Sequence, residues 1–587
     1  MRKTLFILAV VLMQSGCMNE KQQAESILRH YINRKTDPIR NYQMESEMAL
    51  WNATVTGNEA DYQKMIDIEL DFNRMNQNNA NQFSPDCFFT SSPNVFTKQQ
   101  DFDLLRKLKD SGLITDTLLK RQLNVLFQTF MSTQIESERY KKYVMREIEQ
   151  WQVFSAMKVE LDGRKYGSAQ LDSVRIKTSD PKIIDTISES YRKICHQIAD
   201  DIIRNVKERN EFAVEFGYPD YYYLALDDKE QTPEKVKAVF DELESKTREP
   251  YFEAKQVIDK MLAKRLGIDK SDLRPWYYND ERTSYLTEKF TRKMDSLFVN
   301  IDPVRLTADF FASIGLPIDD VIKKSRLEDG PGKANLTAMI NIDFKNDIRL
   351  IAGITQTYDG MCRMMHLGGH ASEYKSISDD IPYLLKTPNT VIVEGIGRYF
   401  ENLASDYNWL KREIPIAGKV QDQVALICRH MHQVDRLLRC RKLMAMAEFE
   451  REMYHNPDQD LDLLWQEVNR KYLGIIYPAG KKSSYWAANK FGASLSCSIH
   501  NFVLADIFAA QLKHSVENKV FKGGEANYSN NKVLGDFMVA NFYSSGNLYQ
   551  WEQLIARGTG EPLNTSYFID ELTGEGGEMG ESVTKSN

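Results

Sequence analysis

Residues 187–206 read ISESYRKICHQIADDIIRNV, and the period of their apolar side chains decides the fold class. Six of these side chains recur at spacings of three or four and share one helical face: Ile187, Tyr191, Ile194, Ile198, Ile202 and Val206. Residues 102–131 and 421–452 follow the same period. Between such runs lie short connections that contain proline and glycine, such as residues 218–219 and 330–332. The sequence therefore predicts a mainly α-helical protein.

One segment follows a period of two instead of the helical period. Every second residue from Leu336 to Phe344 is apolar, and the residues between them are Thr337, Met339, Asn341 and Asp343. Such alternation is typical of a half-buried strand. We therefore predict a strand over residues 336–344 within the helical chain.

The composition excludes several classes of protein. The 587 residues are 42% hydrophobic and 27% charged, which is ordinary for a soluble globular body. Only 17 prolines and 30 glycines argue against an all-β protein rich in turns. A net charge of −7 gives no footprint for nucleic acid, and seven cysteines make no disulfide scaffold. Because no Pro/Ser-rich linker divides residues 25–570, we predict one large helical unit.

The N-terminus carries an export signal. Arg2 and Lys3 precede a nine-residue apolar run, Leu5 to Met13, which is too short to span a bilayer. Small residues then lead into Cys17, which resembles a bacterial lipoprotein signal, although Gln14 departs from the usual aliphatic residue. We expect cleavage to leave a lipidated Cys17 that holds the chain on a bacterial membrane, on the periplasmic or surface side. The alternative is a secretory signal with an incidental Cys17.

The candidate chemistry centres on residues 366–394. His366 and His370 lie four residues apart in His-Leu-Gly-Gly-His, so on a helix both imidazoles reach one metal ion. Glu394 follows in an otherwise apolar segment, where an unpaired carboxylate would be costly to bury. Two histidines and one glutamate would hold a metal and leave its fourth position open. Such histidine pairs are also common as core or solvated side chains.

This arrangement resembles the angiotensin-converting-enzyme-like peptidyl-dipeptidases, which are zinc peptidases. In that family His-Glu-x-Gly-His and a later Glu-Ala-Ile-Gly-Asp segment supply the three zinc ligands, and the separation fits without a gap. Further segments are similar to the family: residues 45–52, 209–219, 273–277, 471–475 and 534–564.

The resemblance implies the architecture and the ligand set. The expected fold is a large two-lobed helical gluzincin-type peptidase with a deep central cleft and a small antiparallel strand element. It would occupy residues 18–570, after a lipoprotein signal peptide at 1–17 and before a disordered tail at 571–587. Zinc would bind His366, His370 and Glu394, and the cleft would take a peptide or a small-molecule ligand.

Three departures from the family pattern remove catalytic groups. Leu367 replaces the glutamate that takes a proton from zinc-bound water, a contribution of about 10²–10⁴-fold. Gly492 replaces a histidine that binds substrate, and Phe502 replaces the tyrosine whose hydroxyl stabilises the oxyanion. Lys490 is retained at the position that pairs with the C-terminal carboxylate of the substrate.

The surroundings of the ligands differ as well. Arg398 stands where the family has the aspartate that orients a zinc histidine, and a guanidinium accepts no imidazole N–H. Leu336 stands where a substrate-binding histidine is expected. Glu373, one turn after His370, is either a replacement base, an extra ligand, a partner of an imidazole or a solvated surface residue.

Other residues with metal-binding chemistry are expected to be structural. Cys428, His430 and His432 are predicted on a regular helix, where the two histidines point apart. His500 is expected in the core or on the surface, with a place in the cleft as the alternative.

Two functions follow from these residues. The first is a catalytically impaired pseudopeptidase that acts as a lipid-anchored peptide-binding or scaffold protein. The second is an active zinc peptidyl-dipeptidase that releases C-terminal dipeptides with a displaced base such as Glu373. A new activity in the same cleft is a further alternative.

Overall fold

The structure is a computed structural model, and it describes residues 19–76, 98–155, 157–161, 163–278, 285–328, 337–478, 484–488 and 496–574. The described chain is mainly helical, which confirms the predicted class. None of its helices combines the length and the apolar character that a membrane span requires. Four residues with predicted roles lie outside the described ranges: Cys17, Leu336, Lys490 and Gly492.

The helices of the N-terminal half have the following bounds: α1 Glu20–Thr56, α2 Glu59–Asn76, α3 Lys98–Asp110, α4 Thr117–Ser132, α5 Ser137–Ser155, α6 Ser168–Lys177, α7 Pro181–Glu215, α8 Tyr221–Asp228, α9 Pro233–Leu266, α10 Tyr285–Phe298, α11 Pro303–Ser313 and α12 Asp319–Lys324.

The helices of the C-terminal half complete the described chain: α13 Tyr358–Lys375, α14 Thr390–Leu403, α15 Tyr407–Glu413, α16 Gln421–His430, α17 Arg436–His455, α18 Leu461–Leu473, α19 Ile499–Lys519, α20 Lys532–Met538, α21 Trp551–Thr559 and α22 Ser566–Thr573.

Helix α7 contains the segment that predicts the fold class. The Asp180 side chain accepts a hydrogen bond from the Lys182 amide at 2.9 Å, and Pro181 occupies the first turn, where its missing N–H costs nothing. The six predicted apolar residues are buried or half-buried, so the period of the sequence does mark the packed face.

Two predicted helices are wrong in detail. Residues 102–131 form two helices, because the chain turns at Ser111 and Gly112, the latter with a φ of 65° that favours glycine. Residues 421–452 are not one regular helix, since a π-helical turn, Met431–Asp435, separates α16 from α17. The amphipathic period of the sequence does not by itself reveal such interruptions.

The strands of the described chain form two antiparallel hairpins. Strand β1 (Lys158–Leu161) pairs with β2 (Arg164–Gly167), a hairpin that the sequence did not predict. Strand β3 (Ala338–Asn341) pairs with β4 (Ile348–Ile351), with Ala338 opposite Ile351. The predicted strand at 336–344 is therefore confirmed over its central four residues, and the small antiparallel element is present.

The largest apolar core contains the helices that matter for function. Helix α14 packs closely against both α13 and α19. Met361, Met364 and Met365 on α13 are fully buried in this core, as expected of packing residues. A second apolar cluster joins α1, α3 and α4 to the end of α7.

The C-terminal boundary differs from the prediction. Residues 571–573 end helix α22, and Glu571 forms an ion pair with Arg436 at 2.5 Å. The expected tail from 571 therefore begins inside a helix, and residues 575–587 lie outside the described ranges.

Candidate metal centre

Helices α13 and α14 cross at glycines, and this crossing builds the site. A Cβ atom on Gly397 would lie 2.8 Å from Cε1 of His370 and 2.9 Å from Cε1 of His366. A Cβ atom on Gly369 would lie 3.2 Å from the Cα of Gly397. Because neither glycine has a side chain, the two imidazoles can lie directly against the backbone of α14.

The structure brings the three predicted ligands together. The Nε2 atoms of His366 and His370 are 2.8 Å apart, and Nε2 of His366 is 3.7 Å from Oε2 of Glu394. One ligand atom from each residue lies within 4.8 Å of the others. Among the histidine, cysteine and acidic side chains of the described residues, these three form the group whose geometry could hold a metal ion.

The tautomer of His366 suits a ligand. Its Nδ1 atom lies 2.9 Å from Oε2 of Glu401, a carboxylate that can only accept, so Nδ1 carries the proton. The lone pair of His366 is then on Nε2, which faces His370 and Glu394. A histidine that binds metal through one nitrogen commonly donates the other N–H to a carboxylate in this way.

The spacing of the two imidazoles fits a metal after a small movement. At metal–nitrogen distances of 2.0–2.1 Å, two ligands of a tetrahedral ion lie roughly 3.3 Å apart. The present 2.8 Å is that of a hydrogen bond between the rings. An ion would therefore require the rings to separate by about half an ångström.

His370 is kept neutral, which is the form that binds metal. Burial and the neighbouring His366 hold its pKa well below the usual value. Its Nδ1 atom has no hydrogen-bond partner among the described residues, although the Val393 main chain lies nearby. If a metal took Nε2, the proton would move to Nδ1, on the side of that main chain.

A chain of partly buried charged side chains lies next to the ligands and includes Arg398. Nη1 of Arg398 lies 2.5 Å from Oε1 of Glu401, and its Nε lies 3.1 Å from Oδ1 of Asp506. Asp506 on α19 also pairs with Arg439 on α17. Arg398 is thus neutralised by two carboxylates and does not present an uncompensated charge to the metal site.

Glu401 contacts a candidate ligand, His366, and was not predicted from the sequence. It lies seven residues after Glu394, so both side chains fall on the same side of α14. Burial alone would raise the pKa of Glu401, but Arg398, the hydrogen bond from His366 and Arg439 lower it to about 2. Two features of the sequence could have indicated Glu401: its spacing of seven residues from Glu394, and the need of Arg398 for an acidic partner.

The two described positions at which the family resemblance predicts catalytic residues are apolar. Leu367 is 1% exposed and belongs to the largest apolar core. A Cβ atom on the neighbouring Gly368 would lie 2.4 Å from the ring of Phe311, so this side of α13 is tightly packed. Phe502 lies half-buried on α19 and brings no hydroxyl.

Glu373 is not a surface residue, contrary to one of its predicted alternatives. Its side chain is fully buried, and both carboxyl oxygens have no hydrogen-bond partner among the described residues. Burial and the nearby charge of Glu394 raise its pKa to about 8. Glu373 does not belong to the group of three ligands. Its raised pKa favours a protonated carboxyl group at neutral pH.

His430 and His500 are buried and His432 is half-buried, but Cys428, His430 and His432 do not share the regular helix that was predicted, because a π-helical turn begins at Met431. His500 is fully buried, with Nε2 2.5 Å from Oε1 of Gln231, so it is a core residue. His432 lies in the π-helical turn with Nε2 3.4 Å from the Ser405 hydroxyl, and His430 ends α16. Burial lowers the pKa of His430 to about 4, and burial with Lys513 and Arg436 lowers that of His432 to about 3.

A separate cavity of about 250 Å³ is built from other elements. Its lining includes Ser188 and Arg192 of α7 and the rings of Trp276, Tyr477 and Tyr485. The described cavity therefore contains none of the three candidate ligands.

In comparisons with known proteins, no protein-family model matches this chain, and no curated protein matches it.

Proposed function

We propose that the chain is a zinc-binding homologue of the peptidyl-dipeptidases that has lost hydrolytic function. In this proposal His366, His370 and Glu394 hold the ion, and the protein binds a peptide or a small molecule without cleaving it. A lipidated Cys17 would anchor it to a bacterial membrane, where it would act as a binding or scaffold protein.

The observation that carries the proposal is the orientation of His366. A carboxylate fixes the proton on Nδ1, so the unprotonated Nε2 is directed toward the other two ligands. Two imidazoles and one carboxylate are a typical ligand set for zinc with an open fourth position. The arrangement supports retained metal binding.

The loss of hydrolysis is supported by the surroundings of position 367. A residue that moves protons between zinc-bound water and a leaving amine needs a titratable side chain. Leu367 has none, and its place in the apolar core gives no access to water. Phe502 likewise has no hydroxyl to donate to an oxyanion.

The test joins metal content to peptide hydrolysis in one preparation. We expect purified wild-type protein to bind one zinc per chain and to release no dipeptide from model peptides. His366→Ala should lose the zinc, and Leu367→Glu should release no dipeptide, because position 367 is buried in the apolar core. Wild-type hydrolysis that disappears in His366→Ala would overturn the proposal.

An active peptidyl-dipeptidase is the second candidate, and Glu373 is the residue that favours it. Its carboxyl group lies close enough to Glu394 for the two to interact electrostatically. The same experiment separates the candidates when Glu373→Gln is added. Hydrolysis that requires both Glu373 and His366 would establish the active enzyme.

A further inference from the structure

We infer that Glu401 is the positioning residue of the metal centre and that Arg398 holds it in place. The inference rests on the proposed function only in naming zinc as the ion. It assigns to Glu401 the orienting role that the family pattern would give to position 398.

The first step is the contact between Glu401 and the ligand itself. Oε2 of Glu401 lies 2.9 Å from Nδ1 of His366, which is a normal hydrogen-bond distance. Gly397, one turn earlier on α14, allows the ring to lie against the same helix. One carboxylate oxygen and one backbone surface of α14 thus fix the plane and the tautomer of His366.

The second step is what holds Glu401. Its other oxygen, Oε1, accepts a hydrogen bond from Nη1 of Arg398 at 2.5 Å, so the two carboxylate oxygens have different partners. The guanidinium is planar and carries several donors in fixed directions, so it can hold Glu401 and Asp506 at once. The rotation of the carboxylate is thereby restricted.

The third step anchors the arginine outside α14. Asp506 on α19 is 3% exposed and contacts both Arg398 and Arg439. The pairs Arg398–Glu401 and Arg439–Asp506 balance in charge, so this network carries no net positive charge that would repel a cation. Helices α14, α17 and α19 therefore set the orientation of one imidazole on α13.

The consequence concerns the substitution at position 398. The required carboxylate is supplied one turn later on the same helix, and Arg398 is its partner. The orienting function is kept by residues of this chain, whereas no described residue restores a carboxylate at the apolar position 367. Metal binding and proton transfer are thus separable in this site.

The test uses three variants of the full chain. Glu401→Leu removes the acceptor, Glu401→Gln keeps an acceptor oxygen of similar shape, and Glu571→Gln is the matched control. Glu571 also pairs with a largely buried arginine, Arg436, but on α22 and away from the three ligands. Two quantities are measured: the Kd for zinc, and the ring ¹⁵N signals of His366 in metal-free protein labelled at histidine.

Glu401→Leu should weaken zinc binding by about 10–100-fold, because this is the usual effect of losing the partner of a metal-binding histidine. Glu401→Gln should weaken it less, and Glu571→Gln should leave the Kd unchanged even if it lowers the Tm. In metal-free wild type the proton should be on Nδ1 of His366, and Glu401→Leu should release this preference.

Failure of the inference and failure of the proposed function give different results. Unchanged zinc affinity in Glu401→Leu, or a wild-type proton on Nε2, would overturn the role of Glu401 while zinc binding stands. A wild type that binds no zinc but loses its Nδ1 preference in Glu401→Leu would overturn the metal proposal and support the positioning role.

Discussion

Helix α13 has two sides of opposite character. On one side His366 and His370 face Glu394 and Glu401 of α14, with partly exposed side chains at His366 and both glutamates. On the other side Leu367 is buried in the apolar core. One residue, about 100° of helical rotation, separates a metal-ligand surface from a packing surface.

Ligand geometry and proton transfer therefore depend on different residues. The ligand side is maintained by glycines, a carboxylate and its arginine partner, none of which carries out chemistry. The packing side is maintained by Phe311 against Gly368, which leaves no room for a larger side chain there. A chain can therefore keep the ligand geometry while it lacks a residue for proton transfer.

The largest effect is expected from placing a charge on the packing side. Leu367→Glu should lower the free energy of unfolding by several kcal/mol, about 3–5, because a carboxylate would be buried without a partner. Leu463→Glu, at a side chain that is half exposed on α18, should change it by less than about 0.5 kcal/mol. Urea denaturation measures both, and equal stabilities would show that position 367 is not an apolar site.

A smaller effect is expected from disturbing the ligand side without touching a ligand. Gly397→Ala places a methyl group against both imidazoles, so zinc affinity should fall by about 10–100-fold. Gly418→Ala is the control, since a Cβ atom there contacts nothing within 4 Å. Isothermal titration with zinc distinguishes the two, and an unchanged Kd in Gly397→Ala would contradict the close packing of the rings.

A third expected effect is a fall in stability as the pH rises. Burial and Glu394 raise the pKa of Glu373 from 4.5 to about 8. Between these values the folded state binds the proton and the unfolded state does not, so stability falls as pH rises, by about 1.4 kcal/mol per unit. Below pH 4.5 both states are protonated and the effect disappears.

The variant Glu373→Gln should remove this contribution. Compared with the wild type, its stability should decline less between pH 5 and pH 8, as measured by urea denaturation at each pH in metal-free protein. Parallel pH profiles would show that Glu373 is not protonated in the folded state.

The sequence predicted the fold class and the histidine pair because both depend on local periods. Apolar side chains three or four residues apart identified α7, and His366 and His370 lie four residues apart on one helix. Glu394 was predicted from its apolar surroundings and from the family resemblance. The break at Gly112 and the π-helical turn at Met431–Asp435 were missed, because the amphipathic pattern continues across both.

The surroundings of the ligands could not be predicted in the same way. Arg398 indicated a lost orienting residue, yet its charge is balanced by Asp506, which lies more than a hundred residues later on α19. Glu373 was an open case, because burial of a carboxyl group is decided by neighbours from distant parts of the chain. Tertiary contacts determined both outcomes.

We propose that His366, His370 and Glu394 hold one metal ion together, and X-ray absorption spectroscopy of the zinc-loaded protein is the decisive measurement. Two imidazoles and oxygen ligands at 2.0–2.2 Å are expected, with the imidazole signal reduced in His366→Ala. Sulfur ligands at about 2.3 Å, or a spectrum unchanged by His366→Ala, would contradict it.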